Sequence, residues 1–228
     1  VLLVEGEARW EFRFIDNALS RDERVDLQRF VFDQPHIGVL PTTFFPRRLQ
    51  LPTSRKDVSE SNMTELDLLV IGDVSPSNVD SNVWEVIDEF VREQGGTLVL
   101  LAGKNQFPTR HTSLELRQLL PVTNLREIDL SQSGTDDAPL DRGFRLQLTP
   151  DADRHAMFQF DTNSSENRRV WSQLPGHVWG LTGTAKPGTT VFAAAHQPDG
   201  PSLEAERDNA MIVHQYYGFG QVLWIGID

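Results

Sequence analysis

The chain has 228 residues, 39% hydrophobic and 24% charged, which is typical of globular protein and long enough for one large α/β domain. Its net charge of −12 argues against nucleic acid or an anionic membrane surface as main partner, because both are bound by clustered Lys and Arg. The absence of cysteine excludes disulfides, thiolate metal sites and cysteine nucleophiles. The apolar runs are strand-sized, which predicts no membrane insertion by this segment.

The first half of the sequence alternates between strand and helix patterns. Continuous or β-rich apolar runs predict strands over residues 1–4, 25–32, 66–71 and 97–102. Apolar residues at helical spacing predict two helices, one from Trp10, Phe14, Ile15, Ala18 and Leu19, the other from Val83, Trp84, Ile87, Phe90 and Val91. A short helix is predicted over 113–120, and the prolines within 33–64 predict a long loop. This order predicts a doubly wound, mainly parallel sheet.

The second half is predicted to be mostly β and antiparallel. Residues 131–143 predict a surface loop, and 163–174 predict a helix capped by Ser164 or Ser165, with Val170, Trp171 and Leu174 facing inward. Strands are predicted over 178–181, 189–195, 211–215 and 221–227, with a hairpin turn over 217–220.

The predicted fold class is therefore α/β, flavodoxin-like and doubly wound. A mainly parallel sheet has helices on both faces and is extended by antiparallel strands of the second half. We expect a single domain over 1–228, with a parallel core over 1–121 and a β-rich continuation over 122–228. Because the sequence starts without Met and stops after a strand pattern, we expect it to be part of a longer protein.

In open α/β sheets, ligands bind beyond the carboxyl ends of the parallel strands. Three predicted strand exits carry a glycine beside a charged residue. The candidate ligand crevice consists of Glu5, Gly6, Arg9, Glu11, Arg13, Gly72, Asp73, Gly103, Lys104 and Asn105. Each has a structural alternative: glycines after strands usually form turns, Asp73 could cap a turn or helix, and the arginines could pair with neighbouring acids. Trp10 is expected in the core.

Residues 1–14, VLLVEGEARWEFRF, resemble the opening of class I glutamine amidotransferase-like domains of bacterial multidomain proteins. Those domains often occur beside von Willebrand A-type domains and membrane segments. Residues 68–74, 95–103 and 217–228 match the same pattern, so the resemblance spans nearly the whole chain. It implies a soluble domain of a membrane-associated bacterial protein. The implied partners are neighbouring domains of the same polypeptide or another protein.

Enzymes of that family place a cysteine on a strand-to-helix turn and activate it with a histidine backed by a glutamate. The corresponding corner, residues 102–105, contains neither cysteine nor serine, and no His-Pro-Glu run follows it. We therefore expect no glutaminase activity, no catalytic residues and no cofactor. The leading hypothesis is a non-catalytic module that binds a small polar ligand or another protein.

Other functions stay open at this stage. A carboxylate-dependent hydrolase or carbohydrate-modifying enzyme would use Glu5, Asp73 and Glu11 as acid and base. Lys104 could act as a base or Schiff-base nucleophile, although nearby carboxylates would keep it protonated. The histidines show no metal-ligand spacing, so no metal site is predicted, but Glu5 and Asp73 could together bind a hard cation. A structural spacer that contacts a basic partner is a third hypothesis.

Overall fold

The computed structural model describes residues 1–33, 65–131, 143–195 and 202–227. The predicted loops over 33–64 and 131–143 fall almost entirely outside the described residues. The chain divides into two compact units. Unit 1 comprises Val1–Leu120 and Tyr216–Leu223, and unit 2 comprises Pro121–Gln215 and Trp224–Asp228. The assignment of the whole chain to one domain stays a prediction.

Up to residue 119, the described elements follow one another in the order strand, helix, strand, strand, helix, strand, helix. The strands, in chain order, are β1 (Leu2–Glu7), β2 (Gln28–Asp33), β3 (Leu68–Ile71), β4 (Thr97–Leu101), β5 (Val122–Asp129), β6 (Leu146–Leu148), β7 (Trp179–Ala185), β8 (Thr190–Ala195), β9 (Ala210–Tyr217) and β10 (Gly220–Ile225). The helices are α1 (Trp10–Leu19), α2 (Ser81–Arg92), α3 (Leu114–Leu119), α4 (Ser164–Ser172) and α5 (Leu203–Asp208). Within the described ranges, no helix is long and apolar enough to cross a membrane.

Unit 1 is built on a parallel sheet whose strands lie in the order β2-β1-β3-β4, with β10 next to β4. Strand β1 pairs in parallel with both β2 and β3, and β3 pairs in parallel with β4. The central strands are almost entirely buried, because their continuous apolar runs suit a sheet covered on both faces. An α/β fold with a mainly parallel sheet in the first half is therefore confirmed.

Helix α1 forms where predicted, but its inward face differs from the prediction. Trp10 is 66% exposed, so the expectation that it lies in the core is wrong, and Phe14 beside it is 67% exposed. Phe12 is buried instead. Hydrophobic residues with helical spacing lie on both sides of this helix. Their periodicity therefore predicts a helix but does not show which side is buried.

Helix α2 agrees with its predicted apolar stripe, and Val83, Trp84, Ile87, Phe90 and Val91 are all buried. Its start is set by Asp80, whose side chain accepts hydrogen bonds from the amides of Asn82 (2.9 Å) and Val83 (3.1 Å). Such a cap satisfies amides that have no partner within the helix.

The turn between β9 and β10 belongs to unit 1 because it is attached to α2. The hydroxyl of Tyr217 donates to Asp88 at 2.6 Å, and Arg92 donates to the same carboxylate at 2.9 Å. Burial, together with the bond to Asp88, raises the pKa of Tyr217 to about 12. Gly218 has a φ of +59°, and a Cβ there would lie 2.2 Å from the carbonyl oxygen of Arg92. The predicted hairpin turn is confirmed and needs glycine at this position.

Unit 2 is mostly antiparallel, as predicted. Strand β7 pairs with β5 and β9, and β8 pairs with β6 and β9. The sequence did not predict β5, β6 or α5. Helix α4 is capped by Asn163, which accepts from the amides of Ser165 and Glu166, so the predicted cap at Ser164 or Ser165 is wrong.

The inward face of α4 also differs from the prediction. Its buried residue is Asn167, whereas Val170, Trp171 and Leu174 are only partly buried. The Asn167 side chain accepts from the amide of Phe160 at 2.8 Å and donates to the carbonyl of Phe158 at 3.0 Å. A polar residue can therefore occupy the inward position, because both of its hydrogen-bonding groups have partners.

Candidate functional site

The carboxyl ends of β1, β3 and β4 lie at one edge of the parallel sheet in unit 1. Because these strands are parallel neighbours, the residues at their exits are close in space. We call this region the strand-exit edge and define it by six of the predicted crevice residues: Glu5, Gly6, Arg9, Gly72, Asp73 and Gly103. The contacts below join all six.

Glu5 is completely buried and accepts hydrogen bonds from three directions. Its donors are the amides of Asp73 and Gly6 and the guanidinium of Arg9, whose Nη2 lies 3.1 Å from Oε2. Arg9 also donates to the carbonyl of Ala102 at 3.2 Å, so it links the end of β1 to the segment after β4. Burial raises the pKa of Glu5, while the charge of Arg9 opposes that shift.

Asp73 is 2% exposed and binds three successive backbone amides. Its carboxylate accepts from Asn105 at 3.0 Å and from Gln106 and Phe107 at 2.7 Å each. Consecutive amides that point at one centre form a concave site for an anion. In this protein the anion is a side chain of the chain itself, and it fastens the segment after β4 to the end of β3.

The glycines at these exits make room for the two carboxylates. A Cβ at Gly72 would lie 1.9 Å from Oε2 of Glu5, and a Cβ at Gly103 would lie 2.1 Å from Cγ of Asp73. Both distances are far below van der Waals contact. The glycines are therefore explained by internal packing, without any ligand close to the backbone.

The remaining predicted crevice residues lie outside this buried group. Oε2 of Glu11 lies 3.9 Å from Nη1 of Arg9. The guanidinium of Arg13 lies over the ring of Trp10, 5.6 Å from its centroid. Lys104 and Asn105 are exposed, and Asn105 contributes its backbone amide to the strand-exit edge.

His111 and Trp84 form a buried polar contact beside Asp73 that sequence reasoning missed. The Nε2 atom of His111 lies 2.9 Å from the carbonyl oxygen of Val74, and the indole N–H of Trp84 donates to Nδ1 at 3.2 Å. A carbonyl only accepts, so Nε2 carries the proton and Nδ1 accepts from Trp84. Burial lowers the pKa of His111. No sequence pattern pairs these two residues, which are 27 positions apart.

The chemistry available at this edge is limited by how its groups are used. The carboxylates of Glu5 and Asp73 point at N–H donors, and the corner over 102–105 supplies no hydroxyl or thiol. In the part of the chain that the structure describes, no group of three or more His, Asp or Glu could hold a metal ion. The fold and this edge together define an α/β protein in which two internal carboxylates join three strand exits.

No protein-family model matches the sequence, and no curated protein matches it. One similar solved structure is a catalytic mutant of Gan42B, a GH42 β-galactosidase from G. stearothermophilus, with 12% sequence identity and a TM-score of 0.43. The match covers 100% of this chain and 27% of that chain, so this chain spans about a quarter of its length. A similarity at this level supports no conclusion about activity.

Proposed function

We propose that this chain is a non-catalytic interaction module with a flavodoxin-like fold of the class I glutamine amidotransferase-like type. Two observations support the fold assignment. The order β2-β1-β3-β4 corresponds to the 2-1-3-4 order of flavodoxin-like sheets, and residues 1–14 resemble the opening of the amidotransferase-like domains. The function rests on the site rather than on the fold, because one fold supports many functions.

The observation that best supports the non-catalytic assignment concerns Glu5 and Asp73. Both carboxylates are buried, and both accept hydrogen bonds from the protein itself. In the 2-1-3-4 order, ligands bind where the strand order reverses, between β1 and β3. Here that place holds the Glu5 carboxylate against Gly72. A substrate would have to displace buried charged groups from their partners, which costs several kcal/mol.

The proposed contact surface is the outer face of α1, which starts next to the strand-exit edge. Its exposed rings of Trp10 and Phe14 stack with centroids 6.2 Å apart, and Arg13 lies over Trp10. Trp and Arg are the residue types that most often dominate binding energy at protein interfaces. The proposed partner is a neighbouring domain of the same polypeptide or another protein.

Two experiments test this proposal. The first measures ammonia release from glutamine by the purified chain, for which we expect no turnover. Turnover that Glu5→Gln or Lys104→Met abolishes would contradict the non-catalytic assignment.

The second experiment places a photo-crosslinking residue at Trp10 or, as a control, at Phe219, which is another exposed aromatic residue of unit 1. We expect specific crosslinks in cells from position 10 and not from position 219. Equal crosslinking from both positions, or none from position 10, would contradict the proposed surface.

A carboxylate-dependent hydrolase is the second candidate, and one observation favours it. Burial raises the pKa of Glu5, which is the direction that a general acid requires. The two functions predict different behaviour of Glu5→Gln. A general acid would be needed for activity on glycoside or amide substrates but not for folding, whereas a structural carboxylate would be needed for stability.

A further inference from the structure

His111 holds the segment between β4 and α3 against two other elements of unit 1. We call residues 102–113 the β4–α3 loop. One ring nitrogen of His111 contacts Val74, which follows β3, and the other contacts Trp84 on α2. The imidazole also packs edge-on against the rings of Trp84 and Phe107, with centroids 5.7 and 5.4 Å apart. The second attachment of this loop is the Asp73 carboxylate at the amides of 105–107.

This arrangement requires a neutral imidazole. Nδ1 accepts the hydrogen bond from the indole N–H of Trp84 only while its lone pair is free, and a proton on Nδ1 would place two N–H groups against each other. We propose that His111 is an acid-sensitive latch, whose protonation detaches the β4–α3 loop from Trp84 and loosens its hold on Asp73. This device goes beyond the proposed function and does not depend on it.

The groups around His111 determine the direction of its pH response. Trp84 on α2, Phe107 on the loop and the carbonyl of Val74 are uncharged. Among the described residues, Asp73 is the charged group whose field acts on the imidazole, and it raises the pKa of His111. Burial lowers that pKa and is the larger effect.

Because the pKa of His111 is lowered in the folded protein, its protonation reduces the stability of the fold. The pKa of His111 in the folded protein lies below the ordinary value of 6.5 that the unfolded chain retains. The unfolded or opened state therefore binds the proton more readily. The stabilisation that neutral His111 supplies is complete above the ordinary value and is lost as the pH falls below it.

The test is amide hydrogen exchange at residues 105–107 at about pH 7 and about pH 5, corrected for the intrinsic exchange rate. His111→Gln is the informative variant, because a carboxamide can donate and accept without titrating. His155→Gln removes an exposed histidine in unit 2 and is the matched control. We expect protection to fall about fivefold at the lower pH in the wild type and in His155→Gln, and to stay unchanged in His111→Gln. The same pH profile in the wild type and His111→Gln would overturn the proposal.

A second measurement on the unmodified protein covers the case in which His111→Gln does not fold. The indole N–H resonance of Trp84, assigned by its absence in Trp84→Phe, is followed during acid titration. We expect it to shift with the same midpoint as the ring resonances of His111. A Trp84 resonance that stays fixed while His111 titrates would overturn the latch.

Discussion

Two ion pairs of the chain have nearly the same sequence spacing but very different surroundings. Arg9 and Glu5 are four residues apart at the strand-exit edge, with side chains 12% and 0% exposed. Arg169 and Glu166 are three residues apart on α4, with side chains 54% and 43% exposed. The first pair also bonds backbone groups of other segments, whereas the side chains of the second pair bond each other and, through Arg169, the side chain of Gln173 just after the same helix.

The comparison shows that burial and backbone bonding decide what a charged residue contributes. An exposed pair is screened by water and contributes little to stability. A buried carboxylate that holds amides cannot be removed without leaving those amides unpaired in a site that excludes water. We therefore expect the charges of the strand-exit edge to be needed for folding and those of α4 to be dispensable.

The largest expected effect is at Asp73. Asp73→Ala leaves the amides of 105–107 without their acceptor, and we expect a loss of about 4 kcal/mol in the free energy of unfolding measured with urea. Asp80→Ala is the control, because Asp80 also accepts from two amides but at an exposed helix start, where the expected loss is about 1 kcal/mol. Equal losses in the two variants would remove the distinction between buried and exposed carboxylates.

A smaller effect is expected at Gly103. Gly103→Ala forces a methyl group into the Asp73 carboxylate, and we expect a loss of about 2 kcal/mol, measured by thermal or urea unfolding. Gly188→Ala in unit 2 is the control. A Cβ added at Gly188 would meet open space, but the φ of this residue is +79°, so only backbone strain of about 1 kcal/mol is expected there. A Gly103→Ala protein as stable as the wild type would show that the carboxylate can move aside.

The smallest effect is expected on α4. Arg169→Ala removes the exposed pair with Glu166, and we expect no measurable change in the unfolding free energy. Unfolding in low and high salt checks this, because the contribution of an exposed pair is screened by salt. A loss of the size expected for Asp73→Ala would contradict the difference between the two regions.

The strands of unit 1 could be predicted because buried parallel strands are continuous apolar runs, as in β3 and β4. Helix α2 could be predicted because its apolar stripe and its buried face coincide. Strand β5 could not, because its sequence VTNLREID carries charged and polar residues and it is stabilised by pairing with β7, at least 50 positions later. Pairing between distant segments leaves no local pattern in the sequence.

The sequence predicted which residues lie together at the strand exits but not what they contact. The rule that parallel strands share one exit edge correctly brings Glu5, Asp73 and Gly103 together. Their partners could not be predicted. The carboxylate oxygens of Asp73 accept from backbone amides more than 30 positions away, and every residue except proline has such an amide. The exposed position of Trp10 was missed for a related reason, since a strongly apolar residue is usually buried.

The most direct test of the central claim is the unfolding free energy of Glu5→Gln. If Glu5 is structural, the neutral amide removes the buried charge to which Arg9 and the amides of Gly6 and Asp73 donate, and we predict a loss of about 3 kcal/mol in urea unfolding. Active-site carboxylates often reduce stability, so their removal commonly leaves a protein as stable or more stable. An unchanged or increased unfolding free energy for Glu5→Gln would contradict the account and favour a catalytic role for the strand-exit edge.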